Sequence, residues 1–338
     1  MEGRKKVAFF EVEPWEKDYF EDKLGGRAEM VFHPERLTLD NIDLATDADY
    51  LAVFVYSDLS GRALDLLPHL RGVATMSVGF DHIDIEEAEK KKIIISNVPA
   101  YGPNTVAEHT IALLLALSRN IVPSVERTKE ELYDYRGLSG WDLSGKTLGI
   151  IGTGKIGALV ARIASGLNMK IIAFDPHQNQ EIVDKYQVEY LEMPALLARS
   201  DVITLHVPMC PENKWLLGKD EFSKMKKGVV ILNTARGGLV DPDALLEALN
   251  NGIVSQAGID VLEDEGLLKE EKQFMSPYFK LKDYQTALID HALMRHPKVL
   301  VTPHNAFNSR EALRNILDTT VKNLEGMMEG DPVNVVEK

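Results

Sequence analysis

The sequence is short of several things at once. Only one of its 338 residues is cysteine, Cys210. That excludes an internal disulfide framework and fits a reducing compartment, so a cytoplasmic location is expected. No group of cysteines and histidines has zinc-ligand spacing, and no metal is expected. The longest apolar run, Ile111–Leu117, falls far below the roughly 20 residues that a transmembrane helix needs. The stretch from Met1 to Phe10 is also too short for a signal-peptide core, so no membrane association is expected. Basic residues are in deficit, with 38 Lys and Arg against 52 Asp and Glu and a formal net charge of −14. Nucleic acid needs basic patches and is not the expected partner. A small anionic substrate stays open, because one local arginine can overcome a diffuse field. There is no repeat of fixed period and no low-complexity segment.

What is present points to two α/β domains. A length of 338 residues with 45% hydrophobic content is ordinary for a globular chain of two domains. Strand-like runs fall at Val7–Phe10, Ala28–Phe32, Leu51–Val55, Val73–Ser77 and Ile93–Ser96, with helical patterns between them at Pro14–Leu24 and Ala63–Leu70. Such alternation implies a parallel sheet covered by helices on both faces. Asn104–Ser118 reads as a helix that is apolar over most of its surface and is expected to be buried between domains or subunits. The final helix, Ser309–Met328, is expected to return to the first domain. The polar stretch Glu263–Lys282 reads as irregular, and His291 and His296 are assigned to the same irregular part, where solvation is their default.

The string Gly152-Thr153-Gly154-Lys155-Ile156-Gly157 is the most informative motif. Alone it is weak, but its full context is here. Thr147–Ile151 reads as a buried parallel strand before it. Ile156, Leu159, Val160 and Ile163 fall on one helical face after it. Met169–Phe174 reads as the next strand and ends at Asp175. The first glycine permits a tight turn, the second lets backbone approach a pyrophosphate, and the third lets helix and strand pack closely. The helix N-terminus favours the anion. Asp175 can accept from ribose hydroxyls and repels a 2′-phosphate, so NAD is expected rather than NADP.

In open α/β sheets ligands bind beyond the carboxyl ends of the strands. Four more apolar runs end in polar residues: Val202–Leu205 at His206, Val229–Leu232 at Asn233-Thr234-Ala235-Arg236, Ala257–Ile259 at Asp260, and Val299–Val301 at Thr302-Pro303-His304. Glu263, Asp264 and Glu265 follow Asp260. An arginine, acidic groups and a histidine thus gather at one sheet edge beside the nucleotide. This set suits hydride transfer to a carbonyl carbon. A histidine can donate the proton near neutral pH. An arginine fork can hold a carboxylate and polarise the adjacent carbonyl. A carboxylate against the histidine favours its protonated form. The substrate implied is a 2-oxo acid. His109, beside Glu108 on the apolar helix, reads as a satisfied core polar group.

The segments Ser77-Val78-Gly79-Phe80-Asp81-His82-Ile83-Asp84, Asn97-Val98-Pro99-Ala100-Tyr101, the glycine motif, Asn233-Thr234-Ala235-Arg236-Gly237-Gly238, Gly258-Ile259-Asp260-Val261 and Thr302-Pro303-His304 are together far more specific than any one of them. Through them the chain resembles the D-isomer-specific 2-hydroxyacid dehydrogenases over essentially its full length. The resemblance implies two doubly wound parallel-sheet domains in a homodimer. A flavodoxin-like substrate domain would take residues 1–103 and 305–338, and a Rossmann dinucleotide-binding domain residues 104–304. It implies Arg236 as the substrate-polarising residue, His304 as general acid/base and Glu265 as the partner of His304, with Glu263 the competing candidate. Val78 and Gly79 would offer backbone N–H groups to the substrate carboxylate. Thr234, Ala235 and Asp260 would contact the nicotinamide side; a strand-end cap is the alternative for Asp260. His206, Val207 and Pro208 would flank the adenosine. Tyr101 and Phe307 match the D-lactate branch and lean towards pyruvate, while Phe54, Val55, Tyr56, Tyr101 and Phe307 could equally line a pocket for a larger or smaller 2-oxo acid. Glyoxylate and hydroxypyruvate reductases belong to the same family. An NADH-binding co-repressor is a remote alternative, disfavoured by how soon the chain ends after its last helix. Formate and phosphite dehydrogenases share the scaffold, but formate-type sites carry Gln where Glu265 stands.

Overall fold

A computed structural model describes residues 4–263 and 281–336. The chain divides into two compact units, Met1–Gly102 with Asn308–Lys338, and Pro103–Phe307. In the first unit, strands β1 (Lys5–Phe10), β2 (Ala28–His33), β3 (Tyr50–Val53), β4 (Gly72–Thr75) and β5 (Ile94–Ser96) alternate with helices α1 (Pro14–Leu24), α2 (Gly61–Asp65) and α3 (Ile85–Lys90). All pairings are parallel, in the order β2-β1-β3-β4-β5, which is the flavodoxin-like winding. Alternate residues of β1 enter opposite layers, as the two-residue period of a strand requires. Phe9 meets Phe20 of α1 and Phe32 of β2, with ring centroids 4.6 and 4.7 Å apart. Ala8 and Phe10 instead join Leu51, Val53, Val73 and Ile95 in the opposite core.

The second unit opens with α4 (Pro103–Ser118) and α5 (Ile121–Lys129). There follow β6 (Thr147–Ile151), α6 (Lys155–Gly166), β7 (Lys170–Phe174), α7 (Gln180–Tyr186), β8 (Glu189–Tyr190), α8 (Met193–Arg199), β9 (Val202–Leu205), α9 (Lys219–Ser223), β10 (Val229–Asn233), α10 (Pro242–Asn251), β11 (Val254–Ile259), α11 (Leu281–Arg295) and β12 (Val299–Val301). The sheet order is β12-β11-β10-β9-β6-β7-β8, parallel throughout. This is the doubly wound Rossmann arrangement, with the order reversing beside β6. Its central strands β6, β9 and β10 are buried on both faces, as parallel strands under crossover helices must be. Leu148 and Ile150 join one core with Ile111 and Leu114 of α4, and Ile151 joins the other with Ile203, Ile231 and Ile259. Local signals delimit the helices. In α10, Asp241 accepts from the Asp243 and Ala244 N–H groups, Pro242 opens the helix, and Gly252 closes it at φ 76°, the usual proline-first, glycine-last asymmetry. The final helix, α12 (Arg310–Glu329), lies in the first unit against α1 and β4, and its N-cap Ser309 accepts from Ala312 N–H.

Several sequence boundaries shift for identifiable reasons. Strand β3 stops at Val53 rather than Val55, because Tyr56 and Ser57 give their N–H groups to a side chain, Glu11. Strand β4 stops at Thr75 rather than Ser77, where the Ser77 hydroxyl bonds Thr75 and the Gly79 carbonyl. Helix α2 covers only Gly61–Asp65, since Pro68 disfavours helical backbone before it. His291 lies within α11 and not in an irregular stretch. The stripe that α6 buries is Gly157, Val160, Ala161 and Ala164, whereas Ile156, Leu159 and Ile163 are only partly buried at its margins. Close packing of α6 on α4 admits small side chains at the centre and leaves the larger ones to flank it. Helix α4 buries Val106, Ala107, Thr110, Ile111, Leu113, Leu114, Leu117 and Ser118, chiefly against α6 and the sheet. Residues 264–280, most of the stretch read as irregular, lie outside the described residues, as does Glu265.

Candidate active site

One row of residues crosses the second sheet in register: Phe174, Ile151, Leu205, Asn233, Ile259 and Val301. Immediately beyond it at the carboxyl edge come Asp175, Gly152, His206, Thr234, Asp260 and Thr302. The sequence-predicted residues of this unit therefore start from a single line. Arg236 and His304 stand three residues beyond β10 and β12 respectively, which are two strand spacings apart, about 10 Å.

At the centre of that line the glycine turn is built as a cradle. Gly152 takes φ 92°, and a Cβ there would lie 2.6 Å from the His206 carbonyl oxygen. A Cβ on Gly157 would come within 2.0 Å of the Gly152 carbonyl oxygen, so only glycine allows α6 to start this close to β6. By contrast, a Cβ on Gly154 would meet nothing within 4 Å. Gly154 and Lys155 are exposed, and no side chain caps this helix end. Its first-turn N–H groups and dipole therefore suit an anion. Beside the turn, His206 bonds Thr204 Oγ1 through Nε2 at 2.9 Å. Its Nδ1 is buried without a hydrogen-bond partner among the described residues. Burial pushes its pKa down to about 3, so the ring is neutral. Val207 packs over Gly152, and the Pro208 carbonyl accepts from Asn213 at 2.8 Å. An open cradle at a helix N-terminus and an unsatisfied buried nitrogen fit a dinucleotide.

Asp175 directly follows β7 and is already engaged. Its Oδ2 accepts from Thr153 N–H at 2.7 Å and from Thr153 Oγ1 at 3.1 Å, and its Oδ1 accepts from His177 N–H at 2.8 Å. Tyr190 of β8 donates to Thr153 Oγ1 at 2.8 Å and accepts from Asn179 N–H at 2.9 Å. A carboxylate has about four acceptor sites, which leaves roughly one for an incoming hydroxyl. The charge itself is undiminished.

Asp260 is fully buried, and its side chain organises the loop after β12. Oδ1 accepts from Thr302 Oγ1 and, at 3.0 Å, from Asn305 N–H; Oδ2 accepts from Ala306 N–H at 2.9 Å. His109 Nε2 lies 3.4 Å from Oδ1 and 3.1 Å from Thr302 Oγ1. Burial alone would raise the Asp260 pKa, but the hydrogen bonds from His109, Thr302, Ala306 and Asn305 outweigh it and hold the group below its ordinary value. Within this loop His304 adopts φ 49°, a left-handed conformation that costs a non-glycine residue about 1–3 kcal/mol. Its N–H donates to the carbonyls of Asp260 and Thr302 at 2.8 and 2.9 Å. Phe307 stands edge-on to the His304 ring, with centroids 6.4 Å apart.

After β10, Asn233 fastens the turn by donating to the Arg236 carbonyl at 2.9 Å and accepting from Ala235 N–H at 3.1 Å. Arg236 is half-buried and donates to the Ala235 carbonyl at 2.8 Å. Thr234 is buried. Thr110 Oγ1 spends its one proton on the Val106 carbonyl at 2.8 Å, so Thr234 Oγ1 is the donor in its 2.8 Å bond to Thr110. Glu263 is occupied elsewhere: Lys214 reaches Oε1 at 2.9 Å and Trp215 Nε1 donates to Oε2 at 3.2 Å.

In the first unit, the loop after β4 exposes Val78 and half-buries Gly79. Asn97 donates to the Val78 carbonyl at 2.8 Å and Ser77 Oγ to the Gly79 carbonyl at 2.6 Å, which fixes both peptides by their carbonyls. Tyr101 is half-buried, with its carbonyl accepting from Asn315 of α12 at 2.9 Å.

The sequence pattern singled out neither Thr302 as a buried link nor Asn305, Thr153 or Tyr190. His109 is satisfied, as expected, but by Thr302 and Asp260, and so it belongs to the site. Pairings between segments so distant in the chain leave no spacing to read.

A family model described as the D-isomer specific 2-hydroxyacid dehydrogenase, NAD binding domain, matches residues 111–306. The D-lactate dehydrogenase of Escherichia coli is 35% identical over 332 residues, covering 96% of this chain and 98% of that one. The glycerate dehydrogenase of Methylorubrum extorquens is 39% identical over 280 residues, covering 81% of each chain. Among solved structures, the D-lactate dehydrogenase of Aquifex aeolicus complexed with NAD and lactic acid superposes with a TM-score of 0.87 at 33% identity and covers 96% of both chains. With the glycine cradle and the loop chemistry already described, these similarities show that the chain belongs to the D-isomer-specific 2-hydroxyacid dehydrogenase family, as an NAD-dependent enzyme of the D-lactate dehydrogenase type.

Proposed function

We propose that the protein reduces a small 2-oxo acid to its D-2-hydroxy acid, with pyruvate and D-lactate as the leading pair. The observation that carries this reading is the shared carboxyl edge from which Arg236, Asp260 and His304 all extend, in register with the glycine cradle. NADH, when bound, supplies hydride to the carbonyl carbon. The backbone N–H groups of Gly154, Lys155, Ile156 and Gly157 take the pyrophosphate. Asp175 faces the adenosine ribose, and His206, Val207 and Pro208 flank the adenosine. Thr234 and Ala235 form the nicotinamide side; because the Asp260 carboxylate is consumed by the chain, Asp260 serves that side by holding the 302–306 loop. Arg236 pairs with the substrate carboxylate and polarises the carbonyl. His304 gives the proton to the carbonyl oxygen. Glu265 is the partner that keeps His304 protonated, a role for which the engagement of Glu263 with Lys214 and Trp215 argues. Val78 and Gly79 offer N–H groups to the carboxylate, and Tyr101 and Phe307 border the substrate side chain.

A glyoxylate or hydroxypyruvate reductase is the second reading, favoured by the similarity to an enzyme named for glycerate. We also propose a homodimer and a cytoplasmic location. The homodimer rests on the apolar surface at and after α5, where Ile121, Val125, Leu132, Tyr133 and Tyr135 are exposed, an unusual grouping for a monomer's surface. The single cysteine supports a reducing compartment.

With NADH and a panel of 2-oxo acids, NADH should be consumed fastest with pyruvate. A higher kcat/KM for glyoxylate or hydroxypyruvate selects the second reading, and no turnover with any acid removes both. His304→Ala should lower kcat by roughly 10²–10⁴, measured at saturating NADH; unchanged turnover would refute the assignment. Asp175→Ala should shrink the preference for NADH over NADPH by about 1–3 kcal/mol, read from the ratio of kcat/KM values. Sedimentation equilibrium should give twice the chain mass, and the double substitution Ile121→Lys, Val125→Lys should shift it towards the monomer.

A further inference from the structure

We propose that Glu11 is a positioning residue for the substrate end of the first unit: its carboxylate holds the 54–57 segment, and with it Phe54 and Tyr56, at the point where the strand order reverses. The proposal rests on the reading above of a small 2-oxo acid as substrate, together with the expectation from sequence that Phe54 and Tyr56 line its pocket.

In the order β2-β1-β3-β4-β5 the reversal lies between β1 and β3, where an open sheet of this winding receives its ligands. The first residue past β1 is Glu11. It takes φ 61°, a conformation uncommon outside glycine, and its N–H donates to the Glu35 carbonyl at 3.1 Å. From there its side chain crosses to the segment beyond β3. Oε1 accepts from Tyr56 N–H at 3.1 Å, and Oε2 accepts from Ser57 N–H at 3.0 Å and Ser57 Oγ at 2.6 Å. Ser57 Oγ in turn accepts from Leu37 N–H at 3.0 Å. One carboxylate thereby joins the ends of β1 and β3, and through Ser57 the loop after β2.

Three features make this a positioning device. The segment has left the sheet, since β3 ends at Val53, so strand pairing does not fix it. The group on which it depends is chemically exacting. The Ser57 hydroxyl and the backbone N–H groups of Phe54, Tyr56 and Ser57 converge on Glu11, and a carboxylate has only acceptors to offer, whereas an amide would set its own NH₂ against a backbone N–H. Finally, the segment carries two rings at and immediately before the held peptides. Phe54 and Tyr56 are half-buried and edge-on, with centroids 6.1 Å apart. Burial raises the Glu11 pKa despite the opposing bonds from Ser57, Tyr56 and Phe54, so ionising this side chain carries a cost that apolar packing would avoid.

The test combines kinetics with amide exchange in the full-length enzyme. At saturating NADH, Glu11→Gln should raise KM for pyruvate about ten- to a hundredfold, the equivalent of one charge-assisted hydrogen bond. It should change the ratio of kcat/KM between pyruvate and 4-methyl-2-oxopentanoate, while kcat and the KM for NADH move much less. Hydrogen exchange at the Tyr56 and Ser57 amides should accelerate. Unchanged KM and selectivity, or equal falls in kcat with every acid, would overturn the proposal. If Glu11→Gln does not fold, Ser57→Ala removes one donor and should move KM and exchange in the same direction by less; no movement there is equally fatal. Absence of turnover in the unmodified protein would instead strike the substrate reading, and exchange of the two amides would still decide whether the carboxylate holds the segment.

Discussion

The carboxyl edge of the second sheet depends on a buried negative charge. Asp260 sits at the end of β11 with no exposed side-chain surface, a placement that is costly unless every lone pair is used. The chain uses them on the loop that carries His304, drawing in Thr302, Asn305 and Ala306 and backing the arrangement with His109. The strained backbone of His304 is held by the same residue, whose carbonyl accepts the His304 N–H. Removing the carboxylate would leave four donors facing an apolar interior and release the loop. His304 is therefore placed through its backbone and its loop, by the residue that directly follows the neighbouring strand.

Much of this edge was legible from sequence because parallel strands buried on both faces read as short apolar runs. The polar residue that ends each run marks the carboxyl edge. Asp175, His206, Asp260 and Thr302 are placed in that way by pattern alone, and Gly152 by the glycine motif. Pattern and structure part where side chains replace the ladder. Val55 and Ser77 look strand-like and extend β3 and β4 in the sequence pattern, while Glu11 and the Ser77 hydroxyl capture the backbone there. On α6, hydrophobicity pointed to Ile156, Leu159 and Ile163, but close approach to α4 selected Gly157, Ala161 and Ala164 for burial. Tyr190 on the edge strand and His109 on α4 could not be assigned to the site, since each meets its partner only through the fold.

Asp175 shows how a charge can be prepared for a ligand before it arrives. Its contacts with Thr153 and His177 consume most of its acceptor capacity, so the number of bonds left for a ribose is small. What they add is orientation. Thr153 is fixed by Tyr190, and Tyr190 by Asn179, so the orientation of the carboxylate is held by a connected set of hydrogen bonds. In the proposed role of Asp175, discrimination against NADPH would rest on like charges held together, a stronger basis for selectivity than one additional hydrogen bond.

The two units solve the same topological problem in opposite ways. Each has a reversal of strand order with a turn just past the leading strand, β1 in one and β6 in the other. At β6 the chain removes its own atoms: Gly154 leaves open space, and the neighbouring His206 is neutral. Attraction for an anion comes from backbone dipoles that cost nothing to present. At β1 the chain supplies the anion itself, since the Glu11 carboxylate fills the converging N–H groups of Tyr56 and Ser57. A nest of donors can bind a ligand or an internal carboxylate, but not both. In the first unit the donors are taken up in fixing the segment that carries Phe54 and Tyr56, whereas the glycine turn of the second unit leaves its own donors open to an anion.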